Sequence, residues 1–369
     1  MRNPSIAKED LCAGSVGDTI VRFAMRHALT RFALLLTVTM LAPFASAAKQ
    51  QVDFPYGPLP VFELHSGFWM NLHHTLYQQA RQQREKRSGR PNTALASRLN
   101  DAEQRDWDAA VAYYAANFAN KDLLFSTEMI LLKNQLGDFE DCDELSGAKK
   151  KTCDAGLPAK LTQVLDSAAP VYRAHWWPEH DRANRKWVAE VAPLVRTRGL
   201  ELAQRLAEIY QTKWPAEKIR VDVSAYANWA GAYTTVDPLR VVISSTDPRN
   251  QGSAALEVLF HEASHGIAEP VQATIARECR QRNKPIPRDL WHALIFYTTG
   301  EVIRPVMTSQ GSENNGETPG GGYTPYAVRE GLYKRGWDDY LKLLMRFWQP
   351  YLDGKSTFDD AIARMVSAL

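Results

Sequence analysis

The segment that most constrains this chain is residues 258–267, which read Val-Leu-Phe-His-Glu-Ala-Ser-His-Gly-Ile. Its apolar and small residues predict a buried helix. On such a helix His261 and His265 are one turn apart, so both imidazoles project from the same face. Burying two histidines and Glu262 costs free energy unless they bind a ligand. The segment therefore predicts a helix that carries a site.

The His-Glu-x-x-His spacing is that of two histidine ligands sharing one Zn²⁺ ion. Glu262 is offset sideways, toward a water that the zinc would hold and activate, and can act as the general base. A chance occurrence of the motif is the alternative. The apolar residues around it argue for the metal site.

This extended motif resembles the active-site helix of the zincin metallopeptidases. The metzincin branch needs Gly and His where this chain has Ala268 and Val271, which excludes it. The gluzincin branch takes a Glu ligand from a second helix downstream, and the resemblance implies Glu301 for that role. Glu301 is the only carboxylate in the apolar stretch 290–302. An acidic side chain is rarely buried in such a helix unless it has a partner, and a metal ion would be one.

His292 is the rival third ligand. It lies nine residues before Glu301 and hence on the opposite face of the predicted helix, so only one of the two can point at the metal. We favour Glu301 because it is the gluzincin residue type. Pro305 stands where thermolysin-like enzymes carry an Asp that orients a histidine, and Glu269 is a candidate for a supporting contact or for an exposed structural role.

The resemblance also implies a substrate-binding strand and a donor for the oxyanion. Residues 228–233, Asn-Trp-Ala-Gly-Ala-Tyr, precede the motif by about the gluzincin interval. The small residues in this segment would let a peptide approach and add as a strand, and a plain core strand is the alternative. Tyr323 and Tyr326 follow a glycine-rich loop and are candidates to stabilise the oxyanion; packed surface tyrosines are the alternative.

Residues 1–47 read as a secretory signal, with a basic region, an apolar run and a cleavage site after Ala47. Met25 is an alternative start, and an uncleaved anchor is the competing interpretation of the segment. We expect a periplasmic or secreted protein with no membrane attachment after cleavage.

The 369-residue chain has 44 basic and 42 acidic residues, and removing the signal takes away five basic and three acidic ones, which leaves 39 of each. A neutral body without a long basic run argues against a nucleic-acid partner. Cys142 and Cys153 flank a short charged loop that a disulfide could close, which fits export, and Cys279 is left unpaired. A zinc site from Cys142 and Cys153 is the alternative, but no second ligand pair has the right spacing.

Helical patterns dominate residues 48–217, and short β-branched runs appear from residue 218 onward. We therefore predict an α+β fold, mostly helical, with a small sheet beside the active-site helix. The predicted organisation is a signal at 1–47, a helical region at 48–217 and a zincin-like catalytic region at 218–369.

Together these patterns predict an exported zinc metallopeptidase with one Zn²⁺ held by His261, His265 and Glu301. Glu262 would be the general base, and the substrate a peptide or protein. A zinc hydrolase of a non-peptide amide or ester and a non-catalytic zinc-binding protein are the alternatives. Nothing in the sequence indicates an oligomeric state.

Overall fold

The computed structural model describes residues 59–86, 99–147, 153–308 and 322–369, all within one unit, Gln50–Leu369. The predicted signal at 1–47 lies outside the described residues. The fold is α+β and mostly helical, with a small mixed sheet, as the sequence predicted. Among the described helices, none combines the length and apolarity needed to cross a membrane.

The first half of the described chain is a strand followed by five helices. These are β1 (Phe62–His65), α1 (Phe68–Lys86), α2 (Asp101–Asn117), α3 (Thr127–Asp138), α4 (Ala159–His175) and α5 (Trp177–Ile209). A capping box starts α2, since the Asn100 side chain accepts from the backbone at Glu103 and the Glu103 side chain accepts from the Asn100 N–H. Cys142 and Cys153 form the predicted disulfide between α3 and α4, and Cys279 is free and buried.

The second half brings three strands and then helices only. These are β2 (Ile219–Ser224), β3 (Ala232–Val236), β4 (Leu239–Ser244), α6 (Gly252–Ser264), α7 (Glu269–Gln281), α8 (Leu290–Thr308), α9 (Tyr326–Arg329), α10 (Asp338–Leu343), α11 (Gln349–Leu352) and α12 (Phe358–Ala368). A π-helical segment, Leu344–Trp348, joins α10 to α11.

The sheet has the order β1-β2-β4-β3, with β1, β2 and β4 parallel and β3 antiparallel to β4. Among the described residues β3 is therefore an edge strand. Paired residues share a face, so Thr234 lies on the same face as Val241 and Val221, its partners across the sheet. The first and second halves of the chain meet in this sheet, because β1 pairs with β2.

Two apolar clusters cover the two faces of the sheet. One contains Val221, Val241 and Ile243 together with buried residues of α5, α6 and α8. The other contains Tyr233 and Val242 together with residues of α1 to α4. The sheet is thus a central layer between helices, and α6 is held against the face that presents Thr234.

Candidate metal site

Helix α6 carries the His-Glu-x-x-His motif in the interior of the protein. Residues 254–264 are all buried, as the apolar pattern predicted. His265 is the first residue past the helix, and Gly266 follows it in the turn toward α7. A Cβ at Gly266 would lie 2.5 Å from a methyl carbon of Leu239, so the missing side chain lets the turn approach the sheet.

Three histidines converge where α6 faces α8. One nitrogen of each of His261, His265 and His292 lies within 4.8 Å of one nitrogen of each of the other two. The ring centroids are 5.1 Å apart for His261 and His265, 5.3 Å for His261 and His292, and 5.1 Å for His265 and His292. These side chains could hold a metal ion together.

Burial keeps all three imidazoles neutral at neutral pH. It lowers the pKa of His261 well below the ordinary value, with smaller contributions from His265 and His292. It lowers the pKa of His265 to about 3, with His292 adding to the effect. It also lowers the pKa of His292 to about 4, against a weaker opposing effect of Asp289. Neutral imidazole is the form that binds a metal.

The donor set fits a metal ion. Three neutral imidazoles are a known ligand set for zinc that leaves a fourth position open. Nδ1 of His261 is buried and has no hydrogen-bond partner among the described residues. A buried polar atom without a partner is costly, and one with an unoccupied lone pair is suited to coordination.

Aromatic side chains form the wall around the histidines. The ring of Phe296 stacks on His261, with centroids 3.5 Å apart and planes 16° apart. Trp291 stacks on His292 at 5.3 Å, and Trp337 meets His292 edge-on at 5.4 Å. No sequence pattern indicated these aromatic contacts, since single aromatic residues in an apolar helix usually belong to the core.

Glu262 directly follows His261 in the motif, and its side chain bonds to the edge strand β3. Its Oε2 atom is 2.7 Å from Oγ1 of Thr234 on β3, and its backbone carbonyl oxygen is 2.9 Å from the same hydroxyl. Burial raises the pKa of Glu262 to about 7, while the Thr234 hydroxyl acts in the opposite direction. A carboxylate with a pKa near 7 suits general-base chemistry at neutral pH. Sequence reasoning did not find Thr234.

Glu301, the third ligand that the sequence favoured, is not one of the clustered residues. Its carboxylate pairs with Arg304 at 2.5 Å and lines a cavity of about 510 Å³ together with Arg198 and Arg205 of α5. The face of α8 that meets α6 carries His292, and Glu301 faces α5. The structure therefore brings His292, and not Glu301, to His261 and His265.

Tyr323 and Tyr326 both donate hydrogen bonds to the carboxylate of Glu257, a second acidic residue of α6. The Tyr323 hydroxyl donates to Oε2 of Glu257 at 2.5 Å, and the Tyr326 backbone N–H donates to the same oxygen at 2.9 Å. Glu257 is one turn before His261. Glu269, the possible supporting residue, is exposed at the start of α7.

The fold and site thus define an α+β chain in which the buried His261 and the partly buried His265 of the motif meet the partly buried His292 of α8. Comparison of the chain with protein-family models, with curated proteins and with solved structures gives no match in any of the three. The resemblance to gluzincins therefore has no support from relatives, and it rests on the motif alone.

Proposed function

We propose that this chain is a zinc-dependent hydrolase of peptide bonds in which His261, His265 and His292 hold one zinc ion. The observation that carries the proposal is the convergence of three neutral imidazoles from α6 and the start of α8, with Glu262 adjacent. Zinc, when bound, would supply Lewis-acid chemistry and a nucleophilic water at neutral pH.

Glu262 would move the proton in this reaction. It would accept a proton from the attacking water as the water oxygen bonds to the peptide carbonyl carbon, and deliver it to the nitrogen of the leaving amine as the C–N bond breaks. Thr234 would hold the carboxylate in place through its hydroxyl. A pKa raised by burial to about 7 matches this double role of acceptor and donor.

The position of Glu262 beside β3 supports a peptide as the substrate. Among the described residues no strand pairs with the outer side of β3, where an extended chain could add as a further strand. Residues 232–235 of β3 are buried, so such a chain would have to displace the residues that cover them. Thr234 lies on β3 and contacts Glu262, so such a chain would run close to the general base. The strand begins at Ala232, within the segment 228–233 that the sequence suggested.

Tyr323 is a candidate oxyanion donor only when its hydroxyl is released from Glu257. The backbone N–H of Tyr326 is held by the same carboxylate, and its ring packs on Phe296. We therefore assign Tyr323 the oxyanion role in an opened form of the site, and we assign Tyr326 to the wall.

Export is the location that we propose. The Cys142–Cys153 disulfide supports it, because disulfides persist in oxidising compartments.

The test is hydrolysis of casein and of labelled peptides by purified protein lacking residues 1–47, with and without a chelator. We expect chelation to abolish cleavage and zinc to restore it. Glu262→Gln should bind zinc but cleave at least about 100-fold more slowly, because the proton acceptor is lost. Glu269→Gln, on the exposed start of α7, is the matched control and should cleave normally. Cleavage that survives chelation would refute the proposal.

A non-catalytic metal protein is the second candidate. The observation that favours it is the contact of Glu262 with Thr234, which gives the carboxylate a structural partner. In that case Glu262→Gln would leave zinc binding unchanged, and wild type would show no turnover on peptides or on a panel of non-peptide amides and esters. Turnover on that panel alone would instead identify a zinc hydrolase of another substrate class.

A further inference from the structure

Glu257 is a buried carboxylate that the proposed reaction does not use. It is 1% exposed, and its Oε2 atom accepts from the Tyr323 hydroxyl and the Tyr326 N–H. Its Oε1 atom has no hydrogen-bond partner among the described residues. Burial raises the pKa of Glu257 to about 7, which reflects the cost of placing a carboxylate there. An apolar residue would fill this position at lower cost, so the carboxylate calls for an explanation.

The contacts of Glu257 lead toward α8 as well as to the tyrosines. A Cβ at Gly300 of α8 would lie 3.2 Å from Oε1 of Glu257 and 2.7 Å from Cβ of Pro325. Residues 323–326 therefore pack between α6 and α8, and the absence of a side chain at Gly300 allows this close contact. Glu257 is the hydrogen-bonding anchor at the centre of this contact.

Stacked rings connect the anchored residues to the histidines. The Tyr326 ring is stacked with Phe296 at 6.1 Å, with planes 8° apart. Phe296 in turn stacks on His261 at 3.5 Å and lies 5.0 Å from His292. Because interiors are close-packed, a shift of Tyr326 would be passed to Phe296 and then to the imidazole it covers.

We propose that Glu257 is a positioning residue, which anchors residues 323–326 and through Tyr326 and Phe296 fixes the ring of His261 in its place beside His265 and His292. The link to metal binding rests on the proposed function. The anchoring of residues 323–326 does not, so the two parts can be tested separately.

The anchoring is tested by hydrogen exchange on the metal-free protein. We expect exchange in the peptide that contains Tyr326 to rise at least about tenfold in Glu257→Ala. In Glu257→Gln the rise should be smaller, because the amide oxygen can still accept from the Tyr326 N–H. Glu278→Gln is the matched control: Glu278 of α7 is also a buried glutamate, but its carboxylate pairs with Arg282, just past the end of that helix. Unchanged exchange near Tyr326 in both Glu257 variants would overturn the proposal.

The link to the histidines is tested by zinc affinity, measured by competition with a chromogenic chelator. Residues that orient a histidine ligand typically change metal affinity 10- to 100-fold, and we expect about tenfold weaker binding in Glu257→Ala. Tyr326→Leu, which removes the stacked ring but keeps the N–H, should also weaken binding. Equal affinity in wild type and Glu257→Ala would refute the positioning role. If wild type binds no zinc, the proposed function fails, and the exchange experiment still decides whether Glu257 is the anchor.

Discussion

At the scale of single residues, His292 and Glu301 lie on opposite faces of α8, because their separation of nine residues makes two and a half turns. Only the face that meets α6 can bring a side chain to His261 and His265. Which face meets α6 depends on how α5 and α8 pack, and no local pattern encodes that. Residue type favoured Glu301 by analogy, whereas packing brought His292 to the motif.

Thr234 gives a prediction at the same scale. Thr234→Val keeps the shape of the side chain and removes the hydroxyl that contacts the carboxylate and carbonyl of Glu262. We expect the free energy of unfolding to fall by about 1–2 kcal/mol, because a buried acceptor loses its donor. If the hydrolase proposal holds, kcat should fall more than KM changes. Urea unfolding and steady-state kinetics measure the two effects.

Thr197→Val is the control for this experiment, since that exposed hydroxyl only bonds to carbonyl groups of its own helix. It should change the free energy of unfolding by no more than about 0.5 kcal/mol. Equal stability of Thr234→Val and wild type would show that the contact with Glu262 contributes nothing to the fold.

The buried Lys133 should make the free energy of unfolding depend on pH. The residue is only 1% exposed, and its Nζ donates to the Thr235 hydroxyl at 2.6 Å. Burial lowers the pKa of Lys133 from 10.5 to about 7, against the opposing effect of Asp222. Between about pH 7 and 10 the unfolded chain therefore binds more protons than the folded one, and the free energy of unfolding should rise with pH. Relative to Lys133→Met, wild type should gain about 2 kcal/mol between pH 7 and 9.

Denaturant unfolding of both proteins at several pH values measures this difference. Lys160→Met, which removes an exposed lysine, should follow the wild-type curve. Parallel curves for wild type and Lys133→Met would mean that Lys133 is charged in the folded protein.

At the scale of elements, the β-branched runs from residue 218 onward predicted strands in the region where β2 and β4 lie. The apolar patterns predicted the motif helix and the helix of His292. Two elements were predicted less well. The helical pattern of residues 48–217 did not show that α5 runs as one helix from Trp177 to Ile209 despite Pro193. β1 lies within the region 48–217 that the sequence predicted to be helical, because four residues are too few to show a period and its pairing partner is far away in the chain.

Gly300 tests the contact between α8 and the anchored residues. In an open helix Gly→Ala would stabilise by about 1 kcal/mol, but here the new Cβ would lie 2.7 Å from Cβ of Pro325, a rigid neighbour. We expect Gly300→Ala to lower the free energy of unfolding by about 1–2 kcal/mol. Gly322→Ala, with nothing within 4 Å of its new Cβ, should be close to neutral. A stabilised Gly300→Ala would contradict the tight contact.

At the scale of the whole molecule, the sheet joins the two halves that the sequence divided at residue 218. β2 pairs with β1, and α6 and α8 share one core with Val191, Val195 and Leu206 of α5. A fragment of residues 218–369 would expose these contacts. We expect it to show no cooperative thermal transition in circular dichroism and poor dispersion in NMR spectra. A well-dispersed spectrum would show that the C-terminal half is an independent domain.

The measurement that tests the central claim most directly is the zinc content of purified wild type, His292→Ala and Glu301→Ala after equilibration with limiting zinc. With His261, His265 and His292 as the ligands, wild type and Glu301→Ala should each retain one zinc per chain, and His292→Ala should retain far less. Loss of zinc from Glu301→Ala, with full retention by His292→Ala, would contradict this account of the site.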